Sequence, residues 1–308
     1  MDPYPEKAMF YNKPKVQKFK NTVIKNANKV VPKANDKETF ICDNTTPIDS
    51  IFNIFVNTFH NYSTFYDFCN EENTKKNLFF ETLVEYAGKG NFSAYYKNRI
   101  SFLKNIGHVV NHTISCKENV GIYLHKLLGN IYSLKRILHC KKCNWNQFST
   151  HATILPLIEI SKEILQNKDF IKYFLTQNNN QFICGKCKNI LEIHYEIKKF
   201  LIIDIEQQNL RLDIFKLPET IVFENKNFVL SGVIEYELFD SGHKKYVAFC
   251  RSVGGFWSRK DEKKKFNSIF KHGADLLVAM IIYVNKPNLF MMLKEFKIKK
   301  YLSLNICT

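Results

Sequence analysis

Cys140-Lys141-Lys142-Cys143 and Cys184-Gly185-Lys186-Cys187 are two Cys-x-x-Cys doublets with forty residues between them. Each doublet sets two sulfurs at the spacing with which a tight turn grips one face of a metal ion. Two doublets together close a tetrahedral four-sulfur shell for Zn²⁺. Four thiolates leave no coordination position for water, so the zinc is structural and the chemistry must lie elsewhere. The insert is longer than the roughly fifteen to twenty residues of a compact zinc module. The two turns are therefore expected at the tips of long strands that belong to a larger domain.

Beyond Cys143 the chain reads mostly as strands. Residues 148–160 end in Ile154-Leu-Pro-Leu-Ile-Glu-Ile160, and a helix over 161–180 runs into an Asn178-Asn179-Asn180 turn. Then come Ile193–Ile197, Phe200–Ile205, Phe228–Tyr236, Lys245–Cys250 and Leu276–Val284, all β-branched or aromatic runs bounded by turn residues. Before Cys140 the spacing is helical from about Phe65 to Leu138. Leu78, Phe79, Leu83 and Val84 mark one stripe; Ile100, Leu103, Ile106 and Val110 a second; Leu124, Leu127 and Leu128 a third. Helices first and strands afterwards define an α+β chain, not an alternating α/β one.

The first ordered helix is expected at Asp43-Asn44-Thr45-Thr46-Pro47-Ile48-Asp49-Ser50. Thr46 suits the N-cap, Pro47 the first helical position, and Asp49 completes an acidic capping box. Ile48, Ile51, Phe52, Phe55, Val56 and Phe59 follow at helical spacing, so the positive end of a buried helix is aimed at one place. His60, His108, His112 and His125 stand singly and read as ordinary surface or core histidines.

At 308 residues, 45% hydrophobic and 14% aromatic, the chain has ample material for a core, which excludes a disordered protein. Lysine plus arginine outnumber acids 45 to 29, a net charge of +16 that suits nucleic acid or an acidic protein surface, or simply a solubilising exterior. Residues 1–37 carry nine lysines against three acids without a sustained period, and read as a basic, disordered arm. Nine cysteines, a zinc pattern and no signal peptide predict a reducing compartment, nuclear or cytoplasmic. No apolar run approaches the roughly eighteen residues of a membrane span.

In the order and spacing of its blocks, roughly residues 39–286, the chain resembles the ubiquitin-specific proteases, and among them a divergent branch that looks SUMO- or transposon-related. That family opens its catalytic helix with Gly-Asn-Thr-Cys-Tyr-Leu-Asn-Ser, where this chain has residues 43–50 as quoted above. It carries a zinc ribbon of two Cys-x-x-Cys doublets, here Cys140, Cys143, Cys184 and Cys187. Further on come Leu217-Pro218 and the Leu230-Ser-Gly-Val-Ile234 core. The family's His-Tyr-x-Ala-Tyr stands here as Lys245-Tyr246-Val247-Ala248-Phe249. Its Gly-x-Trp and Tyr-Asp-Asp stand as Gly255-Phe256-Trp257 and Lys260-Asp261-Glu262.

The resemblance implies a papain-like cysteine-protease fold with an N-terminal helical part, a C-terminal antiparallel sheet and an inserted zinc-ribbon finger at about 138–190. The domain would span 38–286 and leave 287–308 as a tail. It places Thr46 at the nucleophile position, Lys245 at the base position, Asp261 as orienting acid and Asn44 as oxyanion donor. Cysteine-protease chemistry needs a thiolate and a histidine, so with both replaced it should be absent. Cys42 lies four residues before the expected nucleophile and His243 two before the expected base, a displacement too large for attack. A Thr46–Lys245 hydroxyl–amine pair would require burial to lower the lysine pKa. The expected role is an inactive binding or scaffold module for ubiquitin, a ubiquitin-like protein or another protein. An active isopeptidase on ubiquitin or SUMO is the alternative, and a nucleic-acid binder using the lysine-rich arm is a third reading.

Overall fold

The computed structural model describes residues 41–286, apart from positions 112, 130, 158–159, 178–181, 241, 261–267 and 271–274. The arm, the tail, Asp261 and the Asn178–Asn180 turn lie outside the described residues. The chain opens with β1 (Ile41–Asp43) and a helical block: α1 (Thr46–Asn61), α2 (Ser63–Asn70), α3 (Glu72–Lys75), α4 (Leu78–Leu83), a π-helical turn at Val84–Gly88, and α5 (Phe92–Ile106). A hairpin of β2 (His108–Val110) and β3 (Thr113–Ser115) precedes α6 (Val120–Leu128). Next come β4 (Leu134–Cys140), β5 (Trp145–Ala152), β6 (Leu155–Pro156), α7 (Lys162–Leu165), α8 (Phe170–Gln177) and β7 (Glu192–Ile197). The last part is β8 (Phe200–Asp204), β9 (Arg211–Asp213), β10 (Thr220–Phe223), β11 (Lys226–Leu238), β12 (Lys244–Arg251), β13 (Trp257–Lys260), β14 (Ser268–Phe270) and β15 (Asp275–Lys286). Helices come first and the main sheet afterwards, as the α+β reading requires.

Two stretches correct the helical reading of 65–138. Residues 108–115 form the β2–β3 hairpin, with β3 also pairing parallel to β1. The run His-Val-Val reverses at Asn111, whose φ of 45° an asparagine tolerates, and Val110 is exposed instead of lining a helix. Leu134–Leu138 belongs to β4, where Leu134 and Leu138 are buried at a spacing that a helix and a strand both allow. The long helix expected at 161–180 is two short ones, α7 and α8, separated by a turn through Asn167.

Among the described residues the main sheet runs β14-β13-β12-β11-β15-β8-β6, with β10 also on β11 and β9 also on β15. All its pairings are antiparallel except β6 with β8. Its two faces feed two cores. Ile234, Tyr236, Tyr246, Ala248, Cys250, Met280 and Ile282 meet the helices. Val233, Val247, Phe249, Ile281 and Tyr283 meet Leu155, Leu165, Phe170 and Ile171 on the other side. Being covered on both faces explains why β11 and β15 read as continuous apolar runs.

Helix α1 is buried around most of its circumference because it is held between the sheet and the other helices. Phe52 and Phe55 pack edge-on against Phe79, and Phe55 also reaches Phe200 on β8. On the sheet side, the β11–β15 register slips at Ser231, between Leu230 and Gly232. The bulge turns the Ser231 hydroxyl onto Thr58 Oγ1 of α1 at 2.5 Å. A Cβ on Gly232 would lie 2.8 Å from Ile54 Cγ2 and 2.9 Å from the Phe249 carbonyl, so the missing side chain is what admits α1 this close.

Candidate functional site

Three contacts tie α1 along β12. Thr46 Oγ1 accepts from the Tyr246 backbone N–H at 3.2 Å. The Cys250 thiol donates to the Asn53 carbonyl at 3.6 Å, and Asn57 Nδ2 to the Arg251 carbonyl at 2.9 Å. Eleven helical residues from Thr46 to Asn57 rise about 16 Å, and five strand residues from Tyr246 to Arg251 rise about 16 Å. Helix and strand therefore run side by side in the same direction, and the start of α1 is fixed at the start of β12. Two segments 200 positions apart in sequence meet at this contact.

The helix start differs in detail from the sequence reading. Thr45, not Thr46, is the N-cap, Thr46 is the first helical residue, and the Thr45 side chain makes no capping bond to the first amides. Asp49 is drawn away from a capping box by a buried cluster: Thr45 Oγ1 donates to Asp49 Oδ2 at 2.8 Å, Tyr95 to Oδ1 at 2.9 Å, and Arg99 Nη2 to Oδ2 at 2.6 Å. Arg99 is 1% exposed and Asp49 5%. Burial pushes the Asp49 carboxyl up, opposed by Arg99 and the two hydroxyls. This ion pair locks the first turn of α1 to α5.

Asn44 lies just ahead of the helix at φ 55° and donates from Nδ2 to Asp43 Oδ2 at 2.7 Å and to Ser115 Oγ at 3.5 Å. Lys245 follows the alternation of β12 onto the face opposite α1, where its Nζ is 3.7 Å from Glu237 Oε2 of the facing strand. Arg259 on β13 bonds the same Glu237 at 2.5 Å and stands over Phe249. Thr46 is thus brought to the backbone beside Lys245, while the lysine side chain turns to a carboxylate. Cys42 is 2% exposed in β1, and burial raises its thiol pKa. His243 is exposed at the β11–β12 turn.

The sequence reading missed a polar cluster on the α1 face of the same strand. Glu206 is buried in a 3₁₀ turn after β8; its Oε1 accepts from Lys244 Nζ at 2.5 Å and from the Tyr246 hydroxyl at 2.8 Å. Its Oε2 has no hydrogen-bond partner among the described residues. Asp204 Oδ1 accepts the Glu206 amide at 3.0 Å, and burial raises the Asp204 pKa. The signal in the sequence was two acids, Asp204 and Glu206, at the end of an otherwise apolar strand.

The four doublet cysteines come together as expected. Their sulfurs all lie within 4.8 Å of one another, with Cys140 to Cys187 at 3.4 Å and Cys143 to Cys184 at 3.6 Å. Zinc–sulfur bonds of about 2.3 Å at tetrahedral angles put sulfurs about 3.8 Å apart, so the set fits that metal. Cys140–Cys143 is the tip of the β4–β5 hairpin, and Cys184–Cys187 the tip of a turn closed by an Ile183–Ile190 bridge ahead of β7. Each doublet is followed by a left-handed residue, Asn144 at φ 49° and Lys188 at φ 61°. The Cys143 and Cys187 backbone N–H groups hold Cys140 and Cys184 below the ordinary thiol range, Cys184 at about 6.

The arrangement defines an α+β domain in which a helix start abuts the first residues of a sheet strand and a cluster of four thiols that could hold a metal closes a separate three-stranded sheet. No model of a known protein family matches the chain. It is 25% identical over 314 aligned residues to the 120.7 kDa protein in the NOF-FB transposable element of Drosophila melanogaster, an alignment that covers 92% of this chain and spans 28% of that protein's length. Solved structures similar to it include two SAGA DUB modules containing Ubp8. One is bound to monoubiquitin, at 12% identity and TM-score 0.43, covering 80% of this chain and 68% of that one. The other has 13% identity and TM-score 0.45, covering 79% and 67%. A third is the Saccharomyces cerevisiae Pan2 pseudoubiquitin hydrolase–RNA exonuclease module, at 10% identity and TM-score 0.46, covering 79% and 54%. Among the described residues no helix is long and apolar enough to cross a membrane.

Proposed function

We propose that this chain is a ubiquitin-specific-protease-like domain that has lost peptidase chemistry and works as a binding module for ubiquitin, a ubiquitin-like protein or another protein. The observation that carries the reading is the junction of α1 with β12, held by the Thr46–Tyr246 hydrogen bond. In a papain-like site a thiolate at the helix start faces a histidine on the neighbouring strand. Here that junction carries a threonine hydroxyl bonded to a backbone amide and a lysine turned to Glu237. Neither group performs thiolate attack. Cys42 is no substitute, since its thiol is buried and its pKa is raised. Asp261, in the orienting-acid position of the family's pattern, lies outside the described residues and adds nothing to this argument. The metal cluster supports the reading as the structural zinc of the finger, with Cys140, Cys143, Cys184 and Cys187 as its ligands and no catalytic step assigned to it.

The test has two arms. The purified chain is expected to leave ubiquitin- and SUMO-conjugated fluorogenic substrates intact and not to react with vinyl-sulfone forms of either modifier. In the second arm, titration with ¹⁵N-labelled ubiquitin and SUMO, followed by amide shifts, is expected to report saturable binding of one of them. Probe labelling at any cysteine would overturn the loss of chemistry, and unperturbed spectra with both modifiers would remove them as partners.

A further inference from the structure

The cysteine-bearing sheet is basic overall, and four of its lysines stand at its far end. Residues 134–152 and 182–199, which make up β4, β5, β7 and both cysteine turns, hold eight lysines and arginines against two glutamates. Both glutamates are already paired with lysines, Glu192 with Lys141 at 2.5 Å and Glu196 with Lys198 at 2.6 Å. A zinc ion bound by four thiolates carries two net negative charges of its own, which leaves an excess of about four positive charges on the sheet. Lys142, Lys186 and Lys188 are exposed within or just after the cysteine turns, and Lys141 is exposed beside them. The tip has its own small core of Leu138, Cys140, Cys184 and Leu191, and among the described residues Leu134, Ala152, Tyr195 and Ile197, at the root of the sheet, join the core of the main body. The metal therefore holds these lysines in a fixed array at the end of the sheet, away from the α1–β12 junction.

We propose that this tip binds the phosphate backbone of nucleic acid. Point-charge ammonium groups on a rigid turn suit closely spaced phosphates, whose neutralisation releases condensed counterions. The surface is independent of the reading of the α1–β12 junction. Two exposed isoleucines of the bridge, Ile183 at 60% and Ile190 at 61%, stand beside the lysines and are what a protein partner would use instead.

The experiment measures fluorescence anisotropy of the full chain with a 20-base-pair duplex of random sequence from 50 to 200 mM salt. The triple variant Lys142→Gln, Lys186→Gln, Lys188→Asn, with asparagine chosen for the left-handed position, is compared with the parent at matched zinc content. The affinity is expected to fall at least tenfold at 100 mM salt. The slope of log affinity against log salt should drop by about 2 to 3, close to one per lost phosphate contact. Arginine at positions 142 and 186 should retain binding. Unchanged affinity and slope in the triple variant would overturn the proposal and leave any binding to the arm. Equal affinity of the parent for polyglutamate, lost in Ile183→Ser with Ile190→Ser, would overturn it in favour of an acidic protein.

Discussion

Thr46 Oγ1 sits 3.2 Å from the backbone nitrogen of Tyr246 and accepts its proton, which pins the first helical residue of α1 to the start of β12. The hydroxyl is buried and already engaged, at the end of a helix whose N-cap side chain, Thr45, makes no capping bond to the first amides. A group at this point feels the positive end of the helix dipole and one additional N–H donor.

Thr46→Cys should therefore carry a thiol more acidic than an ordinary cysteine. The helix end contributes about 0.3–1 kcal/mol to the thiolate, under one pKa unit, and the Tyr246 amide adds to it. The rate of iodoacetamide alkylation against pH, with labelling at residue 46 verified by peptide mass, should give a midpoint below about 8.5. Adding Lys245→His should not by itself confer ubiquitin hydrolysis, because residue 245 points to the Glu237 face of the strand. Fluorogenic ubiquitin turnover by the double variant would show that a side chain at 245 reaches around to the helix start.

Gly232→Ala should loosen the same junction from behind. Its methyl would come within 2.9 Å of two Ile54 carbons and the Phe249 carbonyl, and the carbonyl belongs to the sheet and cannot move aside. A cost of about 1–3 kcal/mol is expected, as in other overpacked cores. It would be read as a lower urea midpoint at unchanged slope. A midpoint equal to the parent's would mean that α1 can lift from β11 freely.

Much of this architecture was legible in the residue pattern, and the misses share a cause. The strands β8, β11, β12 and β15 are buried on both faces, so their apolar runs are unbroken and easy to read. The cysteine doublets were legible because metal chemistry dictates their spacing. The β2–β3 hairpin was not, since three-residue strands are too short to establish a period. The cap moved from Thr46 to Thr45 because Arg99, 50 positions along the chain, claims Asp49. Lys245 matched the family's block by spacing, but its direction is set by cross-strand partners, Glu237 and Arg259, that no local pattern reveals. Glu206 escaped for the same reason: its partners Lys244 and Tyr246 arrive from 38 and 40 positions away.

Metal removal should act locally first. The tip core consists of Leu138, Cys140, Cys184 and Leu191 with a few half-buried neighbours, too little to hold three strands without the thiolate cluster. The purified protein should contain one zinc per chain by elemental analysis, and Cys184→Ser should lose it. Chelation should abolish hydrogen-exchange protection in β4, β5 and the 182–191 turn while β11 and β15 stay protected. Uniform loss of protection across both sheets would show that the cluster supports the whole domain.

Glu235 gives the main sheet a pH dependence of predictable sign. It lies on β11 with Arg259 Nη2 at 4.0 Å, and Glu237, Lys245 and Arg211 also act on it. Burial raises its carboxyl from 4.5 to about 7, with Arg259 opposing the shift. Because the folded pKa is raised, the native state binds the proton more tightly than the unfolded chain. The stabilising contribution is complete below the unfolded value and is lost as pH rises through about 7. Above pH 7 the ionised carboxylate opposes folding, by up to about 3 kcal/mol before allowance for the solvent that still reaches it. Glu235→Gln should therefore raise the urea midpoint at pH 8.5, with the gain shrinking toward pH 6. An equal gain at both values would trace the effect to side-chain packing instead of ionisation, and a loss at pH 8.5 would mean that the Glu235–Arg259 attraction outweighs the cost of burying the charge.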